Sequence, residues 1–118
     1  MKINIHAGHN RIVPGASKYL DEVKEDRIVT QKLVDILSAD GYTVYNTTDN
    51  KGRTQNENLK NIVRNCNLHN VNLDISIHLN SGGGTGVEVY QYNNNTDRIS
   101  YKICEKISSR LGIRNRGV

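Results

Sequence analysis

The segment Leu73–Val89, LDISIHLNSGGGTGVEV, contains the pattern that decides the fold. Its first part is denser in apolar residues than the other strand-like segments, which predicts a strand in the centre of a sheet. Glycines follow, and GVEVYQY then alternates apolar and polar side chains, which predicts another strand. His78 ends the first of these strands, so a histidine is expected at the carboxyl edge of a sheet.

The rest of the chain alternates strands and helices. KINIH after Met1 and YTVYNT after Gly41 predict two more strands. Apolar residues at helical spacing predict helices over residues 22–40, 54–69 and 97–111. The order strand, helix, strand, helix, strand, strand, helix is typical of an α/β fold. We expect an open, largely parallel, twisted sheet with helices on both faces, a three-layer α/β/α arrangement.

Length and composition limit the possible classes of protein. The 118 residues suffice for one modest core, so a single domain over 1–118 is expected. The net charge of +4 favours an anionic partner such as nucleic acid, a wall polymer or a membrane surface, or is simply a solvated surface. Cys66 and Cys104 fall in different predicted helices without CxxC spacing, which indicates buried thiols.

The N-terminal sequence and the aromatic content argue against two further classes. KINIH directly follows Met1 and leaves no room for a signal peptide, and no apolar run approaches membrane-spanning length. We therefore expect synthesis in the cytoplasm, with release by another route if the protein acts outside, and no membrane partner. Aromatic residues are 5% of the chain, all tyrosine, and no nucleic-acid-binding motif is present, so no nucleic-acid partner is expected.

Three of the four histidines lie where ligand sites form in α/β sheets. His6 and His9 follow the first strand and His78 ends the third, and the carboxyl ends of parallel strands are the usual place for ligands. His69 ends a helix, where a cation faces the negative end of the helix dipole. The histidines at the sheet edge are therefore the candidates for chemistry.

A catalytic zinc site needs three protein ligands, commonly imidazoles and a carboxylate, and an open fourth position. His9 and His78 could supply the imidazoles. Acids at the head of the first helix could supply the carboxylate, although the helix dipole favours acids there whatever their function. Four residues are candidates for this acid: Asp21, Glu22, Glu25 and Asp26.

Four motifs in order resemble one enzyme family: INIHAGHN, a glutamate heading a helix that ends in LSADGYTV, LDISIHLNS, and GTGVEVY. Together they resemble the zinc-dependent N-acetylmuramoyl-L-alanine amidases of the amidase-3 type, found in bacterial autolysins and phage endolysins. The resemblance extends over residues 2–118. It implies a peptidoglycan hydrolase that cleaves the amide bond between N-acetylmuramic acid and L-alanine of the stem peptide by zinc-activated water, at the bacterial cell wall.

The resemblance assigns roles to particular residues. His9, Glu22 and His78 match the ligands of a single Zn²⁺ ion. Asn80 matches an asparagine that helps to shape the substrate cleft. Asp26 stands where the family commonly has asparagine.

The same resemblance leaves the catalytic residue unassigned. The family's catalytic glutamate lies on a later strand, beyond the position of Val118, and the family's last strand and closing helix also lie there. Glu25 and Glu88 are the internal acids that could replace it. A sheet lacking that strand would expose an edge, which predicts a homo-oligomer or a further segment that completes the sheet. The alternative is a non-catalytic peptidoglycan-binding remnant of the scaffold, although such a remnant has no need of three metal ligands.

Overall fold

The computed structural model describes residues 1–16, 20–80 and 84–118, so the predicted glycine turn lies partly outside the described residues. The chain divides into two compact units, Met1–Ser81 and Gly82–Val118. The elements of the first unit are β1 (Lys2–Ala7), α1 (Glu22–Ala39), β2 (Thr43–Asn46), α2 (Gln55–Asn67) and β3 (Leu73–Ile77). Those of the second are β4 (Val87–Glu88), a 3-10 turn (Asn94–Thr96), α3 (Asp97–Leu111) and β5 (Asn115–Gly117).

The first unit contains a three-stranded parallel sheet in the order β2-β1-β3. The predicted α/β fold with a largely parallel sheet is confirmed. The expectation that LDISI is the central strand is wrong for this sheet, because β1 lies between β2 and β3. Residues of β3 alternate between half-buried and exposed, as an outer strand's residues do.

The central position of β1 explains its burial. Ile3, Ile5 and Ala7 are almost inaccessible to solvent, and so is the polar Asn4 between them. The Asn4 amide donates to the Cys66 carbonyl of α2 at 3.0 Å and to the Asp74 carboxylate of β3 at 2.6 Å. These bonds compensate the burial of the NH₂ group, while the side-chain oxygen has no hydrogen-bond partner among the described residues. A polar residue thus occupies the centre of the sheet, and the strand looks amphipathic in the sequence.

Local capping fixes where α1 and α2 begin. Asp21 accepts a hydrogen bond from the Lys24 amide at 3.1 Å, and Thr54 accepts one from the Glu57 amide at 3.2 Å. Each cap satisfies an amide that the first turn of a helix leaves without a partner. Glu22 is therefore the first residue of α1.

The second unit contains β4 and β5, which pair in parallel, and α3, whose predicted bounds are confirmed. The predicted strand GVEVYQY is shorter than expected, since only Val87 and Glu88 pair. β5 was not predicted, because NRG is short and polar and ends in a glycine with φ +95°. Cys104 is fully buried, and both cysteines are free thiols. No helix in the described ranges is long and apolar enough to cross a membrane.

Candidate metal centre

The parallel register of β1 and β3 brings two histidines together. Ala7 pairs with Ile77, and the Gly8 amide extends the ladder by donating to the Ile77 carbonyl at 2.8 Å. The residues that follow, His9 and His78, therefore emerge from adjacent strand ends. Their ring centroids are 5.1 Å apart and the rings meet edge to face at 86°.

Glu22 reaches the same edge from the start of α1 and is only 3% exposed. Its Oε2 accepts from the Ala16 amide at 2.5 Å and its Oε1 from the Leu79 amide at 3.1 Å. The positive end of the α1 dipole also favours a carboxylate at this position. Among the described residues, no lysine or arginine forms an ion pair with Glu22. The carboxylate is thus held by backbone amides and faces two imidazoles.

The three side chains form a cluster with the geometry of a metal site. Glu22 Oε1 lies 3.3 Å from His78 Nδ1 and 3.7 Å from His9 Nε2. One ligand atom from each residue lies within 4.8 Å of the other two. Tetrahedral zinc with ligand bonds of about 2.0–2.1 Å separates its ligand atoms by about 3.4 Å, and a set of two histidines and one glutamate is a known catalytic donor set. These residues fit zinc.

Two glycines leave room for this cluster. A Cβ atom on Gly8 would overlap the His78 ring, and one on Gly15 would overlap the Glu22 carboxylate and lie 2.5 Å from His9 Cδ2. Neither residue can carry a side chain unless a side chain of the cluster moves. The backbone beside the three clustered side chains therefore fits them closely.

Of the four candidate acids at the head of α1, Glu22 is the one that lies beside both histidines. Asp21 is exposed and caps α1, Glu25 is half-buried, and Asp26 is fully buried one turn further on. The metal-ligand cluster in the described part of the chain includes Glu22 and none of these three. Asn80 is exposed two residues after His78, and its role stays a prediction.

The two other histidines have different surroundings. His6 Nδ1 lies 3.4 Å from Ser76 Oγ on the neighbouring strand, and burial is the main cause that lowers the pKa of His6. The His69 ring stacks on Tyr45 with centroids 3.7 Å apart and planes 6° from parallel. His69 thus has an aromatic partner that its position at a helix end did not indicate.

Comparison with known families identifies the chain. A family model described as N-acetylmuramoyl-L-alanine amidase, Amidase_3, matches residues 3–118. The chain belongs to the Amidase_3 family. Two solved structures resemble this family member. The catalytic domain of the CD27L endolysin targeting Clostridia difficile matches with a TM-score of 0.85 and 27% identity, over 99% of this chain and 68% of that one.

The second solved structure, the CwlD amidase from Clostridioides difficile in complex with the GerS lipoprotein, has a TM-score of 0.73 and 23% identity, over 92% of this chain and 65% of that one. This match supports the fold. Two uncharacterized proteins of Clostridium perfringens, CPE1502 and a 38.4 kDa protein, are 30% and 33% identical over 125 aligned residues. Both alignments cover 100% of this chain, which spans 37% and 36% of the relatives' lengths.

Sequence reasoning missed several residues that support the amidase-family site. No local sequence pattern distinguishes Gly15 from other loop glycines, or Arg27 and Asp49 from other charged residues. Asp49 is in fact 4% exposed and accepts from the side chains of Asn58 at 2.8 Å and Asn61 at 3.1 Å. These hydrogen bonds and two from backbone amides lower the pKa of Asp49 although its burial opposes them. Only the folded chain brings these groups together.

Proposed function

We propose that residues 1–118 form an amidase catalytic domain that binds one Zn²⁺ ion through His9, Glu22 and His78 and hydrolyses peptidoglycan. The bond cleaved is the amide between N-acetylmuramic acid and L-alanine of the stem peptide. The observation that carries the proposal is the cluster of two imidazole nitrogens and one carboxylate oxygen within 4.8 Å of one another. Membership of the Amidase_3 family supports the bond and the substrate.

The exposure of the ligands indicates the side from which substrate approaches. Glu22 is 3% exposed, whereas the side chains of His9 and His78 are 28% and 42% exposed. The carboxylate therefore closes the buried side, and the two imidazoles border the side open to water. Zinc held there would lower the pKa of a water in the fourth position toward ~7 and polarise the amide carbonyl.

The chain's own residues set the charge and orientation of the ligands. Two neutral imidazoles and one carboxylate contribute a single negative charge. The Leu79 amide on Oε1 and the Ala16 amide on Oε2 keep the Glu22 carboxylate in one orientation. Such outer partners orient the ligands and tune their basicity. Asn80 is exposed beside this edge, where it could contact the substrate.

We assign no residue of this chain as the general base. Of the internal acids considered, Glu88 is ion-paired with Arg116 at 3.1 Å in the second unit, and Glu25 is half-buried on α1. The alternative function, peptidoglycan binding without hydrolysis, draws its support from this unassigned role. The site of action in either case would be the bacterial cell wall after release from the cytoplasm.

The test is digestion of purified peptidoglycan by the chain, with zinc or with a chelator. We expect zinc-dependent appearance of N-terminal alanine, and its loss in His9→Ala and His78→Ala. Absence of new alanine ends from a folded, zinc-loaded chain that still sediments with peptidoglycan would support the binding alternative. A wild-type chain that binds no zinc would overturn the proposal. Light scattering over a range of concentrations tests the expected homo-oligomer, and a monomer throughout would contradict it.

A further inference from the structure

Arg27 joins three segments of the first unit through hydrogen bonds to main-chain carbonyls. Its Nη1 donates to the carbonyls of Gly8 at 3.4 Å and Val23 at 3.0 Å. Its Nη2 donates to the carbonyls of His9 at 3.0 Å and Asp49 at 3.2 Å. Its Nε and Nη2 donate to Asn50 Oδ1 at 2.9 and 2.7 Å. The guanidinium therefore ties the loop after β1 and the loop after β2 to α1.

This set of contacts uses the whole donor capacity of the side chain. A guanidinium has five N–H groups in a rigid planar fork, and these contacts engage all of them. Within the described ranges Arg27 forms no ion pair with a carboxylate. A saturated guanidinium without a carboxylate partner is suited to holding backbone in place and has no donor left for an anionic ligand.

The backbone that Arg27 holds is strained at the metal ligand itself. His9 has φ +52°, the only positive φ among the described non-glycine residues. This left-handed conformation is sterically unfavourable for a residue with a Cβ atom and persists only where the surroundings enforce it. The Gly8 and His9 carbonyls belong to the two peptide groups that flank the His9 Cα. By binding both, one guanidinium constrains φ and ψ of His9 together.

A second set of contacts fastens the same loop to the segment after β2. Asn10 is fully buried, and its Oδ1 accepts from the amides of Ile12 at 2.9 Å and Val13 at 2.8 Å. Its Nδ2 donates to the Gly52 carbonyl at 2.9 Å and to Asp49 Oδ2 at 3.3 Å. The residue after His9 is thus anchored independently, and Arg27 controls the turn at His9.

We propose that Arg27 is a positioning residue that holds the imidazole of His9 in place for metal binding by clamping the two peptide groups around it. The inference rests on the proposed zinc site. Lysine cannot replace it, because an ammonium group has three donors on a flexible stem and cannot reach four carbonyls in fixed directions. The zinc affinity of the chain is therefore expected to depend on a side chain that touches neither the metal nor the substrate.

The test measures zinc affinity of the full chain by competition with a chromophoric chelator. Arg27→Ala and Arg27→Lys are each expected to weaken zinc binding by about 10- to 100-fold, the usual effect of losing a partner that orients a ligand. The Co²⁺-substituted variants should also show a changed visible absorption spectrum, since the His9 ligand is no longer held at one angle. Circular dichroism and thermal unfolding show whether each variant is folded.

Chemical rescue separates positioning from general stability. Arg27 lines a solvent-open cavity of about 430 Å³ together with Thr30, Gln31, Asn46, Thr48 and Asn50. Methylguanidinium can enter the space left in Arg27→Ala and is expected to restore zinc affinity, whereas methylammonium is not. The lysine variant keeps the charge and the stem, so it decides the outcome if the alanine variant does not fold.

Gln31→Ala is the matched control, because Gln31 lies one turn further along α1 and lines the same cavity. The Gln31 side-chain amide donates a hydrogen bond to Asp35 Oδ1 at 2.8 Å. The zinc affinity of the Gln31→Ala variant should stay within about 2-fold of that of the wild type. Wild-type affinity in folded Arg27 variants, or an equal loss in Gln31→Ala, would overturn the positioning role alone. A wild-type chain without zinc affinity would overturn both the role and the proposed function.

Discussion

Two carboxylates one turn apart on α1, Glu22 and Asp26, differ completely in their surroundings. Both are buried, at 3% and 0% exposure. Glu22 accepts from two backbone amides and faces two imidazoles. Neither oxygen of Asp26 has a hydrogen-bond partner among the described residues. The helix determines that both side chains point inward, but the loops after β1 and β3 reach only Glu22.

The surroundings of Asp26 change the pKa of its carboxyl group. Burial, followed by repulsion from Glu22, raises the pKa of Asp26 to about 7. A buried carboxylate without hydrogen-bond donors loses its hydration, and the favourable interaction with the Arg27 charge only partly offsets this loss. Glu22 is held by two backbone amides, whereas the Asp26 carboxyl group is more stable when it is neutral. Glu22 therefore belongs to the His9 and His78 cluster, whereas Asp26 only shares its helix face.

The largest effect is expected on zinc affinity, from replacing the Glu22 carboxylate by an amide. Glu22→Gln should weaken zinc binding by at least ~100-fold, because it removes the only charged ligand and turns an amide NH₂ toward either the Ala16 or the Leu79 backbone amide. The measurement is zinc affinity by chelator competition. Glu25→Gln, on the same turn, is the control and should bind zinc as the wild type does. Tight zinc binding by a folded Glu22→Gln would exclude Glu22 as a ligand.

Neutralising Asp26 should stabilise the fold, whereas neutralising Glu22 should weaken zinc binding. Asp26→Asn is expected to raise the free energy of unfolding of the metal-free chain at pH 8 by about 1–3 kcal/mol, because a buried charge without donors is removed. Chemical denaturation measures this change. Zinc affinity should stay close to wild type. A less stable variant would mean that the Asp26 carboxylate has a partner in solution.

The pH dependence of stability should report the same carboxyl group. Its folded-state pKa of about 7 exceeds the ordinary value of 3.8, so the folded state binds more protons between these values. The free energy of unfolding of the metal-free chain should therefore fall as pH rises from about 4 to about 7. Asp26→Asn should remove this part of the slope, and identical profiles for the two chains would contradict the assignment.

The smallest effect on stability is expected at Thr30, which lies one turn after Asp26 on α1. Thr30 is 1% exposed and its hydroxyl has no hydrogen-bond partner among the described residues. Thr30→Val should change stability by about 0 to +1 kcal/mol, since it removes a buried polar group that has no partner. Thr47→Val should instead destabilise, because the Thr47 hydroxyl lies 3.3 Å from Cys66 Sγ and 3.5 Å from the Ile5 carbonyl. Denaturation midpoints of the two variants test this contrast.

Periodicity was a good guide to helices and a poor guide to strands. The helix over Asp97–Leu111 was predicted to the residue from the spacing of its apolar side chains, and the structure shows that Gly112 in a left-handed conformation caps its end. β5 and the central position of β1 were not predicted. Strand pairing depends on contacts between distant residues, and the buried Asn4 makes the central strand look like an outer one.

The candidate ligands were found by resemblance, and the geometry that supports them came from the fold. His9 and His78 could be selected as residues that follow strand ends, but four acids at the head of α1 were equally acceptable from spacing alone. The hydrogen bonds from Ala16 and Leu79 distinguish Glu22 from the rest. They come from loops whose approach to α1 no local pattern encodes.

The sequence by itself determined the three helices, the segments of β1, β2 and β3, and the residue types that follow these strands, because these depend on side-chain spacing within about ten residues. Only the tertiary structure decided which carboxylate meets the histidines, why Gly8 and Gly15 have no side chain, and how Arg27 holds His9 in a left-handed conformation. These features depend on the register of parallel strands and on donors far apart in the chain, which come within hydrogen-bonding distance only when the sheet and α1 have packed.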